Sequence, residues 1–349
     1  GTQTWGIPGT LCGLAAAGLF YVLLSGLVKL RGVAFIAQIF PPVVTGPVIM
    51  VIGLILAPVA VHMAMGRTGD GAVVLVPQST ALMVSGVSLA VTILVALRGR
   101  GLTRLIPILC GLGAGYLVAL PMGLVDFTPI RLAPWLAVPD FVFPEWNFEA
   151  ILFMLPVAIA PAIEHFGDVL AISSVSGKNY LEKPGIHRTL LGDGLATTLA
   201  SLLGGPPNTT YSEVTGAVAL TKMFNPLVMT WAAITAIGLA FVGKLGAILQ
   251  TVPVPVMGGL LFLLFGTIAV VGLNTLVRSG EDLMEARNLI IVALTIVAGM
   301  GGMSLELGVV TFKGIGLAGI VAVVLNLALP RQKPSAVKTS EIEPLVTDE

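Results

Sequence analysis

Charge is scarce in this chain. Only 10% of its 349 residues are Asp, Glu, Lys or Arg, against about 25% in a soluble domain. That excludes an ordinary water-soluble protein. The 18 basic and 18 acidic residues cancel, so nothing suggests a nucleic-acid partner. Cysteine is nearly absent: Cys12 and Cys110 each lie in an apolar stretch. Two such residues exclude a disulfide framework and a thiolate metal centre, and they read as packing residues. Histidine is as rare, with His62, His165 and His187 the three. No Cys/His cluster points to a metal, no Ser/His/Asp spacing points to a hydrolase, and no cofactor is expected. No cleavable signal is visible.

What fills the chain instead is apolar. Hydrophobic residues make up 56%, with 42 glycines and 23 prolines. That is the composition of a polytopic helical membrane protein, with glycine for close helix packing and proline for interrupted helices. A bilayer is crossed by about 20 apolar residues. Runs near that length are expected over residues 6–28, 42–65, 73–97, 105–125, 148–172, a short 189–203, 226–249, 254–276, 288–303 and 309–329. A loop with Trp135 and Trp146 fills 126–147, and a polar loop fills 173–188. The tail 331–349 is polar and reads as disordered.

Residues 205–222 make a further element of a different kind. Pro206 and Pro207 block helix continuation. Asn208, Thr209, Thr210 and Tyr211 favour turn or extended backbone. Glu213, Gly216 and a short apolar run to Lys222 follow. The spacing predicts an extended piece running into a half-helix with a carboxylate at the junction. Irregular backbone at membrane depth is tolerated only within protein or beside a watery cavity.

Charge sets an orientation. With Lys29 and Arg31 in a cytoplasmic loop and the spans alternating, 14 of the 18 basic residues fall on the cytoplasmic side, and so does the C-terminus. Only Arg67, Arg131, Lys244 and Lys313 fall outside. This is the positive-inside bias. A weak repeat is also present. Pro42-Val43-Val44-Thr45-Gly46 resembles Pro255-Val256-Met257-Gly258-Gly259, and the two copies enter the membrane from opposite sides. Opposed copies are what an inverted-repeat transporter predicts.

Acids inside spans mark substrate or proton paths by default. Glu164 and Asp168 stand four residues apart and share a helix face. Asp193 lies in the short span and Glu213 at the helix break. These four are the candidates to converge on a site. Asp168 and Asp193 are equally open to a capping or helix-tying role. His165 points off the Glu164 face and reads as a packed, helix-tying residue.

Ala162-Ile163-Glu164-His165-Phe166-Gly167-Asp168 and Pro207-Asn208-Thr209-Thr210-Tyr211-Ser212-Glu213, with Gly216 and Thr221-Lys222, resemble the nucleobase–cation symporter-2 family, also called nucleobase–ascorbate transporters. The resemblance covers nearly the whole chain. It implies an all-α polytopic protein of fourteen elements in an inverted 7+7 repeat, with a short β-strand in a broken helix at the substrate site. Eleven elements are counted here, so the resemblance implies that about three precede residue 1, roughly 80 residues. It implies a core domain from residues 1–32 and 148–249, and a gate domain from 33–125 and 250–330. It implies proton-coupled import of a nucleobase, uracil first and xanthine second, across the bacterial inner membrane. A homodimer belongs to the same expectation. Glu164 and Glu213 would accept from the base N–H groups, and backbone near Tyr211 and Ser212 would serve its carbonyls. Glu164, Asp168 and Asp193 would carry the proton coupling. Two departures bear on the substrate. Uracil carriers place His at the position of Asp168, and the family signature has Asn where Val214 stands. An anion exchanger of the same architecture would favour a cationic or neutral site, which these acids oppose. A membrane enzyme would need a nucleophile or metal constellation that the sequence does not offer.

Overall fold

The computed structural model describes residues 2–211, 213–307 and 310–330. Ser212 and the tail expected over 331–349 lie outside the described residues. The chain is an all-α polytopic membrane protein. Helices long and apolar enough to cross a membrane run over Trp5–Arg31, Pro42–Ala64, Gln78–Arg98, Phe148–Ser176 and Val254–Ser279, and shorter apolar helices accompany them.

The first of these is α1 (Thr2–Arg31), kinked at Gly6, which takes φ 66°. A short α2 (Val33–Ile39) follows, where the sequence pattern showed only a connection. Next comes α3 (Pro42–Ala64), with Pro at its first position, where the missing N–H costs nothing. After a tight turn, α4 (Gln78–Arg98) starts five residues later than hydropathy suggests. An antiparallel bridge from Arg67 to Val74 takes up the difference. Then come α5 (Pro107–Ala119) and a short surface helix, α6 (Thr128–Leu132).

The span expected at 148–172 is two helices, α7 (Phe148–Val157) and α8 (Ile159–Ser176). Pro161 explains the joint. It has no N–H for the carbonyl four residues back, Val157, and its ring crowds that carbonyl. α8 ends on Gly177 in the left-handed region. α9 (Ile186–Leu202) and α10 (Glu213–Thr221) flank the broken stretch.

The span expected at 226–249 is also broken, into α11 (Leu227–Ala240) and α12 (Gly243–Gln250). Val242 leaves the helix to bridge Leu136 of the loop at 126–147. A side chain on Gly243 would come within 2.5 Å of the Pro134 carbonyl oxygen, so the loop docks only on glycine. α13 (Val254–Ser279) and α14 (Ala286–Met300) are single helices. An antiparallel hairpin of β1 (Ser304–Leu307) and β2 (Val310–Lys313) then precedes α15 (Gly314–Ala328), pairing Ser304 with Lys313 and Leu307 with Val310.

Packing sorts the helices. α1 lies on α7 and α9, while α3 lies on α13 and, with α14 and α15, makes a second group. Between lipid-soluble helices the hydrophobic effect gives little, so close backbone approach through small residues matters most. The antiparallel α3–α13 crossing shows this. A Cβ on Gly46 would sit 2.9 Å from the Gly272 oxygen, and a Cβ on Gly272 would sit 2.5 Å from the Gly46 oxygen. Gly258 similarly meets the backbone of Met63 and Ala64. The glycine-bearing start of each repeat copy thus packs on the far end of the other. Val44 and Val48 of α3 meet Ile163 and Phe166 of α8 in one core cluster, which joins the two groups.

Candidate functional site

The site is built where α8 passes the broken stretch. Residues 205–211 are irregular, with no ladder pairing among the described residues. The short strand expected there has no described neighbour to pair with. The only described sheet is the hairpin at 304–313. Side chains hold the stretch instead. The Thr197 hydroxyl donates to the Asn208 carbonyl at 2.9 Å, and Asn208 Nδ2 donates to the Ala196 carbonyl at 3.0 Å. Asn208 thereby replaces the missing ladder by tying the chain to the second half of α9.

This places Thr209, Thr210 and Tyr211 along the wall of a cavity of about 630 Å³, within the usual range for small-molecule sites, about 300–1,000 Å³. Asp168, Val169 and Ile172 of α8 form another wall, and Val214, Thr215 and Val218 of α10 a third. The lining is largely apolar with a few polar groups converging, the usual makeup of a specific pocket. The Thr209 and Thr210 hydroxyl oxygens are buried and have no hydrogen-bond partner among the described residues. Buried polar atoms left so are exceptions that a ligand or water can satisfy.

Of the predicted site residues, Asp168 and Tyr211 line this cavity together. Asp168 is 9% exposed. Glu164 lies one helical turn before it, half-buried. Glu213 is the first residue of α10, and its side chain, like all of Ser212, lies outside what is described. Asp193 does not line the cavity. It sits on α9 with its Oδ2 3.4 Å from Nδ1 of His165. His165 Nε2 lies 2.9 Å from the Thr189 hydroxyl. The reading of His165 as a helix-tying residue matches this geometry.

Sequence reasoning passed over Tyr21. It is 3% exposed, packs with Ala158 and Ala162 at the α7–α8 joint, and lies within electrostatic reach of Asp193 and Glu164. The signal was present as Gly18 and Gly194. A Cβ on Gly18 would fall 2.8 Å from the Gly194 oxygen, and one on Gly194 2.8 Å from the Gly18 oxygen and Tyr21 Cβ. These two glycines bring α1 against α9 beside the acids.

A second cavity, of about 520 Å³, lies where α8 and α10 approach α13. Ala171, Ser174 and Thr215 line one side, and Leu260, Leu264 and Thr267 the other. Thr215 borders both cavities.

A polytopic helical protein whose small-molecule cavity forms at a broken helix, next to buried carboxylates, has the makeup of a secondary transporter. The chain belongs to the permease family, whose model matches residues 1–308, and this is the nucleobase–cation symporter family that its motifs resemble. It is 55% identical over 333 residues to a "Probable uracil permease" of Haemophilus influenzae, with 95% of this chain and 79% of that protein covered. It is 43% identical to the "Uracil permease" of Bacillus subtilis, covering 97% and 79%. It is 38% identical to the "Uracil permease" of Escherichia coli K12, covering 91% and 73%. Membership makes the protein a membrane transporter and not an enzyme.

Proposed function

We propose that this protein imports uracil together with protons across the bacterial inner membrane. The observation that carries the reading is the cavity in which Asp168 of α8 meets the Thr209–Tyr211 stretch. The names of the relatives support uracil as the base. Uracil carries two N–H donors and two carbonyl acceptors. In this reading Glu164 and Glu213 accept from the N–H groups, and backbone at Tyr211 and Ser212 donates to the carbonyls. The buried Thr209 and Thr210 hydroxyls add donors on the same wall. Glu164 and Asp168 share a helix face, where two ionised acids in an apolar setting oppose each other. One proton taken up there and released with the base couples the two fluxes. Asp193 stands behind them on α9.

The core comprises residues 1–32 and 148–249, and the gate 33–125 and 250–330. The separate packing of α1 with α7 and α9, and of α3 with α13, supports that division. The second cavity runs along the boundary, where the core slides. The C-terminus is cytoplasmic, by the charge bias of the loops, and the working form is a homodimer.

The test is uptake of labelled uracil by cells expressing the protein, with and without a proton uncoupler and with unlabelled xanthine as competitor. Uracil accumulation that the uncoupler abolishes and xanthine leaves intact supports the reading. Uncoupler-insensitive uptake removes the symport. Stronger competition by xanthine than by uracil moves the substrate to a purine, the direction in which Asp168 points.

A further inference from the structure

The loop at 126–147 is too apolar for a loop in water. Between Asp126 and Asp140 the only charge is Arg131, and Thr128 carries the only hydroxyl. An apolar stretch of about 10–14 residues does not cross a bilayer; it is buried in protein or lies at the membrane interface. Among the described residues nothing buries this one. Leu132, Trp135, Leu136 and Val138 are each 72–79% exposed. Crowded into seven consecutive positions, 132–138, they form a patch of the kind that soluble surfaces avoid. Trp146, also exposed, follows in the same loop, and tryptophan collects where headgroups meet acyl chains.

The backbone is arranged for a place with little water. Pro129, Pro134 and Pro139 have no N–H to satisfy. The Arg131 and Ala133 amides donate to the Phe127 and Pro129 carbonyls in and beside α6. The Ala137 amide donates to the Phe241 carbonyl at 3.0 Å, and the Gly243 amide donates to the Trp135 carbonyl at 3.1 Å. These two bonds serve both partners. α11 has 14 residues, so it spans about 21 Å at 1.5 Å per residue, short of a hydrocarbon thickness of about 30 Å. The break at 241–243 therefore falls where backbone groups find little water, and the loop supplies their partners. Lys244 completes the contact. Its ammonium donates to the Ile130 and Arg131 carbonyls, which lie at the C-terminal end of α6, where no helix bond satisfies them.

We propose that residues 127–139 lie inserted in the interface of the bilayer, docked on the α11–α12 joint, with Leu132, Trp135, Leu136 and Val138 turned into phospholipid. The partner that covers the patch is the boundary between headgroups and acyl chains. This loop leads into α7, and α12 leads into α13. Two connections between the helix groups are thus bonded to each other and held by lipid at the same end of the molecule. That this is the outer leaflet rests on the charge bias of the loops; the insertion does not.

Two measurements test it. The first is Trp135 fluorescence in the full chain carrying Trp5→Phe, Trp146→Phe and Trp231→Phe, in phosphatidylcholine vesicles. The lipids carry bromine either just below the headgroup or near the chain end. Shallow bromine is expected to remove most of the emission, deep bromine less, and iodide in the water little. Quenching by iodide and not by bromine places the loop in water and overturns the proposal. Quenching by none of the three means that polypeptide covers Trp135, and overturns it too. Stronger quenching by deep than by shallow bromine overturns the interfacial placement. The second measurement needs no variant. Wild-type protein in vesicles is labelled by a carbene generated either on a lipid acyl chain or on a water-soluble reagent, and the labelled peptides are mapped by mass spectrometry. Residues 132–138 are expected to take the lipid-borne label as α11 does and to escape the water-borne one. The reverse pattern, or no label from either, overturns the proposal.

Discussion

Two glycines in α9, two residues apart, should respond to alanine with opposite signs. Gly194 is buried against α1, and an added Cβ would lie 2.8 Å from the Gly18 oxygen, 2.8 Å from Tyr21 Cβ and 3.0 Å from the Val22 nitrogen. Two of these neighbours are backbone, so no rotamer change relieves the clash. Ordinary contact needs several tenths of an ångström more at each. The helices must part, which costs about 1–3 kcal/mol by the usual toll of overpacking. Gly192 faces outward, and nothing lies within 4 Å of its added Cβ. There alanine gains about 1 kcal/mol of helix propensity. Gly194→Ala gains the same propensity, which cancels in the comparison, so the two variants should differ by about 1–3 kcal/mol, the clash alone. Parting α1 from α9 also moves Asp193 and Tyr21 away from α8, so Gly194→Ala should lose uracil uptake while Gly192→Ala keeps it. The assay is thermal unfolding in detergent beside uptake at matched membrane levels. Equal unfolding temperatures and equal uptake for the two would refute the close α1–α9 crossing as the feature that positions the acids.

Three other outcomes follow from the same geometry. Asp168→Asn should abolish accumulation against a gradient while equilibrium uracil binding changes by less than about tenfold, a 1.4 kcal/mol margin; lost binding with coupling intact would reverse its assignment. Glu213→Gln should weaken uracil binding by about 1–3 kcal/mol, because the amide presents a donor to a base N–H; binding assays on protein still found in the membrane would read it. In the turn after α3, the Thr68 hydroxyl and then the Ala72 amide hold the Asp70 carboxyl below the usual carboxylate range. Its contribution is therefore present above the unfolded pKa, about 3.9, and is lost as pH falls through the lower folded value; amide exchange in residues 67–74 should speed up only in strong acid.

Where the chain was legible, local chemistry decided the structure. α3 and α13 begin where Pro42 and Val254-Pro255 say they do, because proline at a first turn acts without help from elsewhere. The interruption at 205–211 was legible for the same reason, and the spacing of four put Glu164 and Asp168 on one helix face, of which Asp168 lines the cavity. Tertiary decisions stayed hidden. The joint between α11 and α12 depends on Leu136 docking at Val242, more than a hundred residues away. The hairpin from Ser304 to Lys313 looked like the edges of two apolar runs, because pairing rather than composition makes a strand. His165 and Asp193 lie 28 positions apart in sequence, and only the packing of α8 on α9 reveals them as a pair. Tyr21 was one more tyrosine in an apolar run until Gly18 and Gly194 drew their helices together.

The central claim is that the cavity beside Asp168 moves a base and a proton together. The most direct test places purified protein in vesicles with a pH-sensitive dye inside and no imposed gradient. Adding uracil outside should acidify the interior at a rate that follows uracil uptake, and Asp168→Asn should take up uracil without acidification. Uracil entering wild-type vesicles with no change in internal pH would contradict the claim.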